Sequence, residues 1–195
     1  MIKLFDVKTD NVTDYKKTSL LLVFPKCSGK CGHKCQNYSL INRTDLIKEY
    51  NIEDIVKLYN NLKTHNAVVF AGLEPLDTFQ DCCSMIFSLS QNCVTKPVDI
   101  VVYTGYDKKD YKEKYEQILL SYFKPKNVKT KLIVKYGSYD PENYNKPFYS
   151  EILGVQLATS NQGVLYYTKN SVEEETYNQK SKSKTTRIIR LKEKK

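Results

Sequence analysis

Short apolar runs alternate with helix-length amphipathic segments through the middle of the chain. Ser19–Phe24, Ala67–Phe70, Val98–Tyr103 and Lys131–Tyr136 are runs of strand length. Between the first two, Ile52, Ile55, Val56, Tyr59 and Leu62 recur at helical spacing. Phe79, Cys82, Cys83, Ile86 and Leu89 do so before the third run, and Lys109–Tyr122 reads as a helix charged on one side. Asn51 is placed to cap the first helix. Asp77 with Gln80 three residues on would form a capping box for the second. Beyond Tyr136 the pattern loosens. Ser138–Ser150 is rich in Pro, Asn and Tyr and reads as a loop, and Ile152–Ala158 and Val164–Thr168 are weaker strands.

Strands and helices in this alternation predict parallel βα units. A complete eight-fold barrel needs roughly 250 residues, and this chain has 195. The expected fold is therefore α/β, a partial (incomplete) TIM-type βα barrel of parallel strands with about four to six βα units. Residues 1–177 would form this domain, and 178–195 a basic, flexible tail.

Composition changes this picture little. A hydrophobic fraction of 41% with 12% aromatic residues belongs to a globular chain. The net charge of +9 suggests a polyanion partner until it is located. Residues 178–195 hold eight Lys/Arg and one Glu, so about +2 remains for everything before them. The charge sits in one end segment, and no nucleic-acid partner is expected from it. Met1–Asp10 mixes charged with apolar residues, which is not a secretory pattern. The longest apolar run, Leu20–Phe24, is far short of the roughly 20 residues of a membrane span. A cytoplasmic protein with no membrane partner is expected, and its six cysteines would be ligands, redox groups or core residues rather than disulfides.

In parallel α/β folds ligands sit at the carboxyl ends of the strands. Unusual residues gather at those ends here. Cys27, Cys31 and Cys35 follow the first run, Gly72-Leu73-Glu74-Pro75 the second, Thr104-Gly105-Tyr106 the third and Gly137 the fourth. Three thiols within nine residues, on a loop with two glycines and Lys26, Lys30 and Lys34, suit a soft metal centre. A structural zinc site usually closes with four ligands, whereas an iron–sulfur cube on three cysteines keeps one iron open. A Cys3His zinc site using His33, or three unrelated loop cysteines, fit the same spacing.

With the loop placed after the first strand, the chain resembles radical S-adenosylmethionine enzymes. More closely, it resembles the activating proteins of anaerobic (class III) ribonucleoside-triphosphate reductase. The likeness rests on Leu21-Leu22-Val23-Phe24-Pro25, Cys35-Gln36-Asn37, Gly72-Leu73-Glu74-Pro75-Leu76-Asp77, Tyr103-Thr104-Gly105-Tyr106 and Leu153-Gly154-Val155-Gln156-Leu157-Ala158, in the family's order over roughly residues 15–165. It implies that Cys27, Cys31 and Cys35 ligate a 4Fe–4S cluster whose fourth iron takes the amino and carboxylate groups of S-adenosylmethionine. Gly72, Leu73 and Glu74 would hold the methionine amino group, and Thr104 and Gly105 would border the cofactor. His33 would stack on the adenine, and Asn37 would be a further cofactor-binding residue. It also implies an external flavodoxin-like one-electron reductant and, as partner, the large reductase subunit that receives a glycyl radical. The chain departs from the family's C-x3-C-x2-C motif in the three residues between Cys31 and Cys35, and Gly72-Leu73-Glu74 is a variant of its GGE-type motif.

Two other readings stay open: a radical enzyme acting on another peptide or nucleotide, and a zinc-loop module binding nucleic acid through the basic tail. Cys82 and Cys83 are expected in the core, Cys93 in a linker and His65 on the surface.

Overall fold

Helix-length segments between the apolar runs permit parallel pairing, because a parallel connection must cross the sheet. The computed structural model describes residues 1–29, 31, 32, 35, 37–140, 142, 148–178 and 183–190. The parallel strands are β3 (Ser19–Phe24), β5 (Ala67–Gly72), β6 (Asp99–Tyr103) and β7 (Lys131–Tyr136), paired in that order with each strand beside the next. The crossovers are α1 (Ile52–Asn61), α2 (Phe79–Asn92) and a third helical stretch, in which α3 (Lys108–Asp110) runs through a π-helical segment (Tyr111–Glu116) into α4 (Gln117–Tyr122). Each crossover steps one strand in the same direction. Right-handed connections of that kind put every helix on one face.

The strands alternate accordingly. Leu20, Leu22, Phe24, Val68, Phe70, Ile100, Val102, Leu132 and Val134 pack against Ile55, Tyr59, Met85, Ile86, Leu89, Tyr111 and Leu119 of the helices. Ala67, Val69, Val101 and Ile133 point the other way, against Tyr15 and the segment from Phe148 to Leu157. That segment holds a small antiparallel pair, β8 (Phe148–Ser150) with β9 (Val155–Leu157). A second small pair joins β1 (Ile2–Leu4) to β4 (Lys48–Tyr50).

The expected partial parallel barrel is corrected by the rest of the sheet. Among the described residues the main sheet is mixed and has eight strands, the parallel four flanked beyond β3 by residues 6–11 and beyond β7 by residues 163–167, 171–178 and 183–190 in turn. β2 (Asp6–Asn11) runs antiparallel to β3. β10 (Gly163–Tyr167) runs antiparallel to β7, followed by β11 (Ser171–Asn178) and β12 (Ser183–Arg190). For β10 and β11 the reason is connection length. Only residues 168–170 separate β10 from β11, and so short a link can join only antiparallel neighbours. Residues 183–190 of the basic end segment form β12, whose described side chains are largely exposed, Ile188 at 67%.

Other details meet some expectations and correct others. Asn51 does cap α1, its Oδ1 accepting from the Glu53 N–H at 2.9 Å. Asp77 does not cap α2, because a 3-10 turn over Pro75–Thr78 intervenes and the helix begins at Phe79. His65 is buried at 4% exposure, between Thr64 Oγ1 and the Thr9 carbonyl. Cys82, Cys83 and Cys93 are all buried in the helix-side core. Among the described residues, no helix is long and apolar enough to cross a membrane.

Candidate iron–sulfur site

The carboxyl ends of β3, β5, β6 and β7 are stitched together by backbone and by one buried carboxylate. As β3 ends, the Phe24 and Lys26 carbonyls accept from the N–H groups of Leu73 (3.0 Å) and Glu74 (2.6 Å) at the end of β5. That approach requires glycine at position 72, where φ is +96° and a Cβ would lie 2.9 Å from the Phe24 nitrogen. The Glu74 side chain turns into the rim and is 6% exposed. Its Oε1 accepts from the Leu76 N–H (3.0 Å) and its Oε2 from the Gly105 N–H (2.7 Å) beyond β6. Thr104 N–H donates to the Lys135 carbonyl on β7 (2.8 Å), and Gly137 N–H donates to the Tyr106 carbonyl (2.7 Å).

The cysteine loop lies on this frame. Gly29 and Gly32 have φ of +72° and +59°, conformations that let the loop fold back without steric cost. Gly29 N–H donates to Cys27 Sγ at 3.3 Å. Asn37 at the far end of the loop donates from Nδ2 to the Gly72 carbonyl at 2.8 Å, tying both ends of the loop to β5. A Cβ at Gly105 would sit 3.5 Å from Glu74 Oε2 and 3.9 Å from Cys31 Sγ, so the second cysteine faces the same hollow as Glu74. A neighbouring cavity of about 300 Å³ is lined by Pro25, Cys27, Ile41, Thr44, Ile47 and Asp77. Cys27, Cys31 and Cys35 are each half-buried and free.

The electrostatics fit a place prepared for a cationic centre. Burial pushes the Cys27 thiol up, opposed by the Gly29 N–H and reinforced by Asp77 and Glu74. Burial likewise raises Cys31, with Cys35 and Glu74 adding to it and a Tyr139 N–H and Lys135 opposing. Burial pushes Glu74 up to about 7 against its N–H donors. It brings the fully enclosed Lys135 ammonium down to about 8, while Glu74 and Cys31 pull the other way. Lys135 Nζ donates to the Gly137 carbonyl at 2.6 Å. Thiols held protonated by burial are the groups that a bound metal ionises outright.

Cys27, Cys31, Asn37, Gly72, Glu74, Thr104 and Gly105 thus meet at one rim, and Cys35 lies on the same loop, its N–H donating to the Gly32 carbonyl at 3.1 Å. Leu73 contributes its backbone N–H to the pairing with Phe24. His33 lies outside the described residues. Sequence reasoning missed Lys135, although a lysine interrupting Leu132–Val134 and Tyr136 marked it. It also missed Asp77 as part of the rim. Asp77 accepts from the Ser28 N–H and from the Tyr106 hydroxyl, the latter at 2.6 Å.

No group of three or more His, Cys, Asp or Glu among the described residues converges as ligands of one metal ion. A cube asks something else, one thiolate at each of three irons. The three half-buried thiols, with glycine leaving open space beside Cys31, fit that group. The chain matches the family model described as a 4Fe-4S single cluster domain over residues 18–145, a span holding all four parallel strands and their crossovers. No curated protein matches the chain, and no solved structure does. Well over half of the sequence lies inside that span, together with the whole rim from Cys27 to Gly137, so the protein belongs to the 4Fe-4S single cluster domain family and is an iron–sulfur protein.

Proposed function

We propose that this protein is a cytoplasmic radical S-adenosylmethionine enzyme. Its target would be a glycine of an anaerobic ribonucleoside-triphosphate reductase. The observation that carries this reading is the count and setting of the ligands. Three cysteines sit on one loop, and Gly72-Leu73-Glu74 and Thr104-Gly105 open onto the same rim. A fourth iron is then free to bind a substrate.

Cys27, Cys31 and Cys35 hold the cluster. When bound and reduced by an external one-electron donor of flavodoxin type, the cluster would supply the electron for cleaving the sulfonium carbon–sulfur bond of S-adenosylmethionine, to give methionine and a 5′-deoxyadenosyl radical. The residues of this chain bind, orient and shield. With no Cβ at Gly105, the hollow beside Cys31 stays open for the methionine and adenosyl portions. Glu74 keeps the β5 and β6 ends in register, its carboxylate shared between Leu76 and Gly105. No proton shuttle is required, since the step removes a hydrogen atom from a glycine Cα.

The test is anaerobic reconstitution with iron and sulfide, reduction, and addition of S-adenosylmethionine. The expected products are methionine and 5′-deoxyadenosine, with absorbance near 400 nm that Cys27→Ala, Cys31→Ala and Cys35→Ala each lower. A loaded, reduced protein that yields no 5′-deoxyadenosine would sink the radical reading. Generation of a glycyl radical in a co-purified reductase then identifies the target.

A further inference from the structure

We propose that Asp77 is a positioning residue that fixes the Cys27 corner of the cluster and holds the cluster's reduction potential low. The inference rests on the iron–sulfur assignment and is independent of S-adenosylmethionine cleavage.

Both oxygens of Asp77 are engaged, and by different strand ends. Oδ2 accepts from the backbone N–H of Ser28, the residue after Cys27. Oδ1 accepts from the Tyr106 hydroxyl at 2.6 Å. One side chain therefore joins the loop after β3, the turn after β5 and the loop after β6. Tyr106 is itself held by an aromatic stack: its ring lies 4.9 Å from Tyr115, and Tyr115 lies 5.2 Å from Phe79 at the start of α2. The 3-10 turn over Pro75–Thr78 makes this geometry possible, because it frees Asp77 from capping α2 and turns it toward the loop.

The charge has a consequence of its own. Reduction adds one negative charge to the cluster, and a fixed carboxylate beside a ligating sulfur disfavours it. Net charge and hydrogen bonding around the sulfurs are what set such potentials. Asp77 shares the cavity with Cys27. The balancing cation, Lys135, is enclosed on the Cys31 side, where its Nζ is held by the Gly137 carbonyl. Among the described residues Asp77 forms no salt bridge, although Lys26 lines the same cavity, so its carboxylate faces the Cys27 corner with hydrogen bonds from Ser28 and Tyr106 alone. Tyr106 donates to that carboxylate without changing its charge, which separates the two contributions.

The test is a redox titration of the reconstituted full chain, followed by electron paramagnetic resonance, with iron and sulfide counted per chain. Asp77→Asn is expected to shift the midpoint to more positive potential. At a fixed potential the reduced-to-oxidised ratio should rise on the order of tenfold, a tenfold change being about 59 mV for one electron. Asp77→Glu keeps the charge and should stay near wild type. Tyr106→Phe should leave the midpoint where it is or lower it. Loss of the cluster from Asp77→Asn alone, with Asp77→Glu loading normally, also supports the role. Three results overturn it: Asp77→Asn loading fully at the wild-type potential, Tyr106→Phe shifting the midpoint as far as Asp77→Asn does, or both Asp77 variants losing the cluster alike. A wild-type chain that takes up no iron and sulfide would count against the cluster assignment instead.

Discussion

Gly72→Ala is the substitution that separates a designed close approach from an ordinary turn. The residue has φ +96°, and a Cβ there would lie 2.7 Å from Val23 Cγ1, 2.9 Å from the Phe24 nitrogen and 3.1 Å from the Phe24 oxygen. Two costs add. Holding a non-glycine residue in that backbone region costs roughly 1–3 kcal/mol. Forcing a methyl group into packed backbone costs roughly 1–3 kcal/mol more, because Phe24 is paired in the sheet and cannot yield. The sum, roughly 2–6 kcal/mol, is a large share of the ~5–15 kcal/mol that holds a domain folded. Gly32→Ala is the control. Its φ is +59°, but nothing lies within 4 Å of the added methyl, so only the backbone term remains, about 1–2 kcal/mol. Urea unfolding of the two iron-free variants gives the comparison, and iron uptake gives a second readout, since the displaced Phe24 leads directly into the cysteine loop. If the two variants prove equally stable, the close packing of β3 against the end of β5 does not carry the weight assigned to it.

Asn37→Ala removes the donor to the Gly72 carbonyl; urea denaturation should show a loss of about 1 kcal/mol, and iron uptake should slow as the loop's far end comes free. Leu22→Ala opens a hole in the helix-side core, where Leu22 is fully buried, and should cost about 2–5 kcal/mol by thermal or urea unfolding. Ile118→Ala, at a residue 46% exposed, should stay within about 0.5 kcal/mol in the same measurement. Glu74 gives the iron-free protein a pH dependence. Its carboxyl is raised to about 7 in the fold by burial, so the folded chain binds the proton more tightly than the unfolded chain does. Its contribution is present below the ordinary carboxylate range and is lost as pH climbs from about 4.5 through about 7. Unfolding at pH 5 and pH 7.5 should show that decline, and Glu74→Gln should flatten it.

The parallel half of the fold was legible because each signal was local. Ser19–Phe24 and Lys131–Tyr136 carry their own β pattern, and Ile52–Leu62 carries its own helical face. The rim followed from topology, since glycines and cysteines at consecutive strand ends must meet. What escaped depended on partners remote in sequence. Val164–Thr168 reads the same whether it pairs parallel or antiparallel; its short link to Ser171 fixes the pairing with β11, but the long 137–162 connection leaves its direction against β7 undecided. Asp6–Asn11 has little apolar character and becomes a strand because β3 offers it an edge. Ser183–Arg190 looks like a charged tail because its described side chains face water, yet its backbone pairs with β11. Asp77 met every local requirement of a helix cap, and its carboxylate was claimed instead by a backbone amide 49 residues earlier. The His65 ring meets only Thr64 locally among the described residues and owes its burial to β2, whose Thr9 carbonyl it contacts.

The flanking antiparallel strands have a consequence for how this architecture can grow. A barrel is extended by docking another parallel strand onto the free edge of the last one, and here that edge of β7 is taken by β10 along the full register from Leu132 to Tyr136. On the other side, β2 occupies the outer edge of β3. The two strands behave as end-stops. Among the described residues they cap the series at four parallel members and leave the sheet open at both ends. A further loop that encloses a substrate then arrives from outside the parallel series, as the 137–162 connection does.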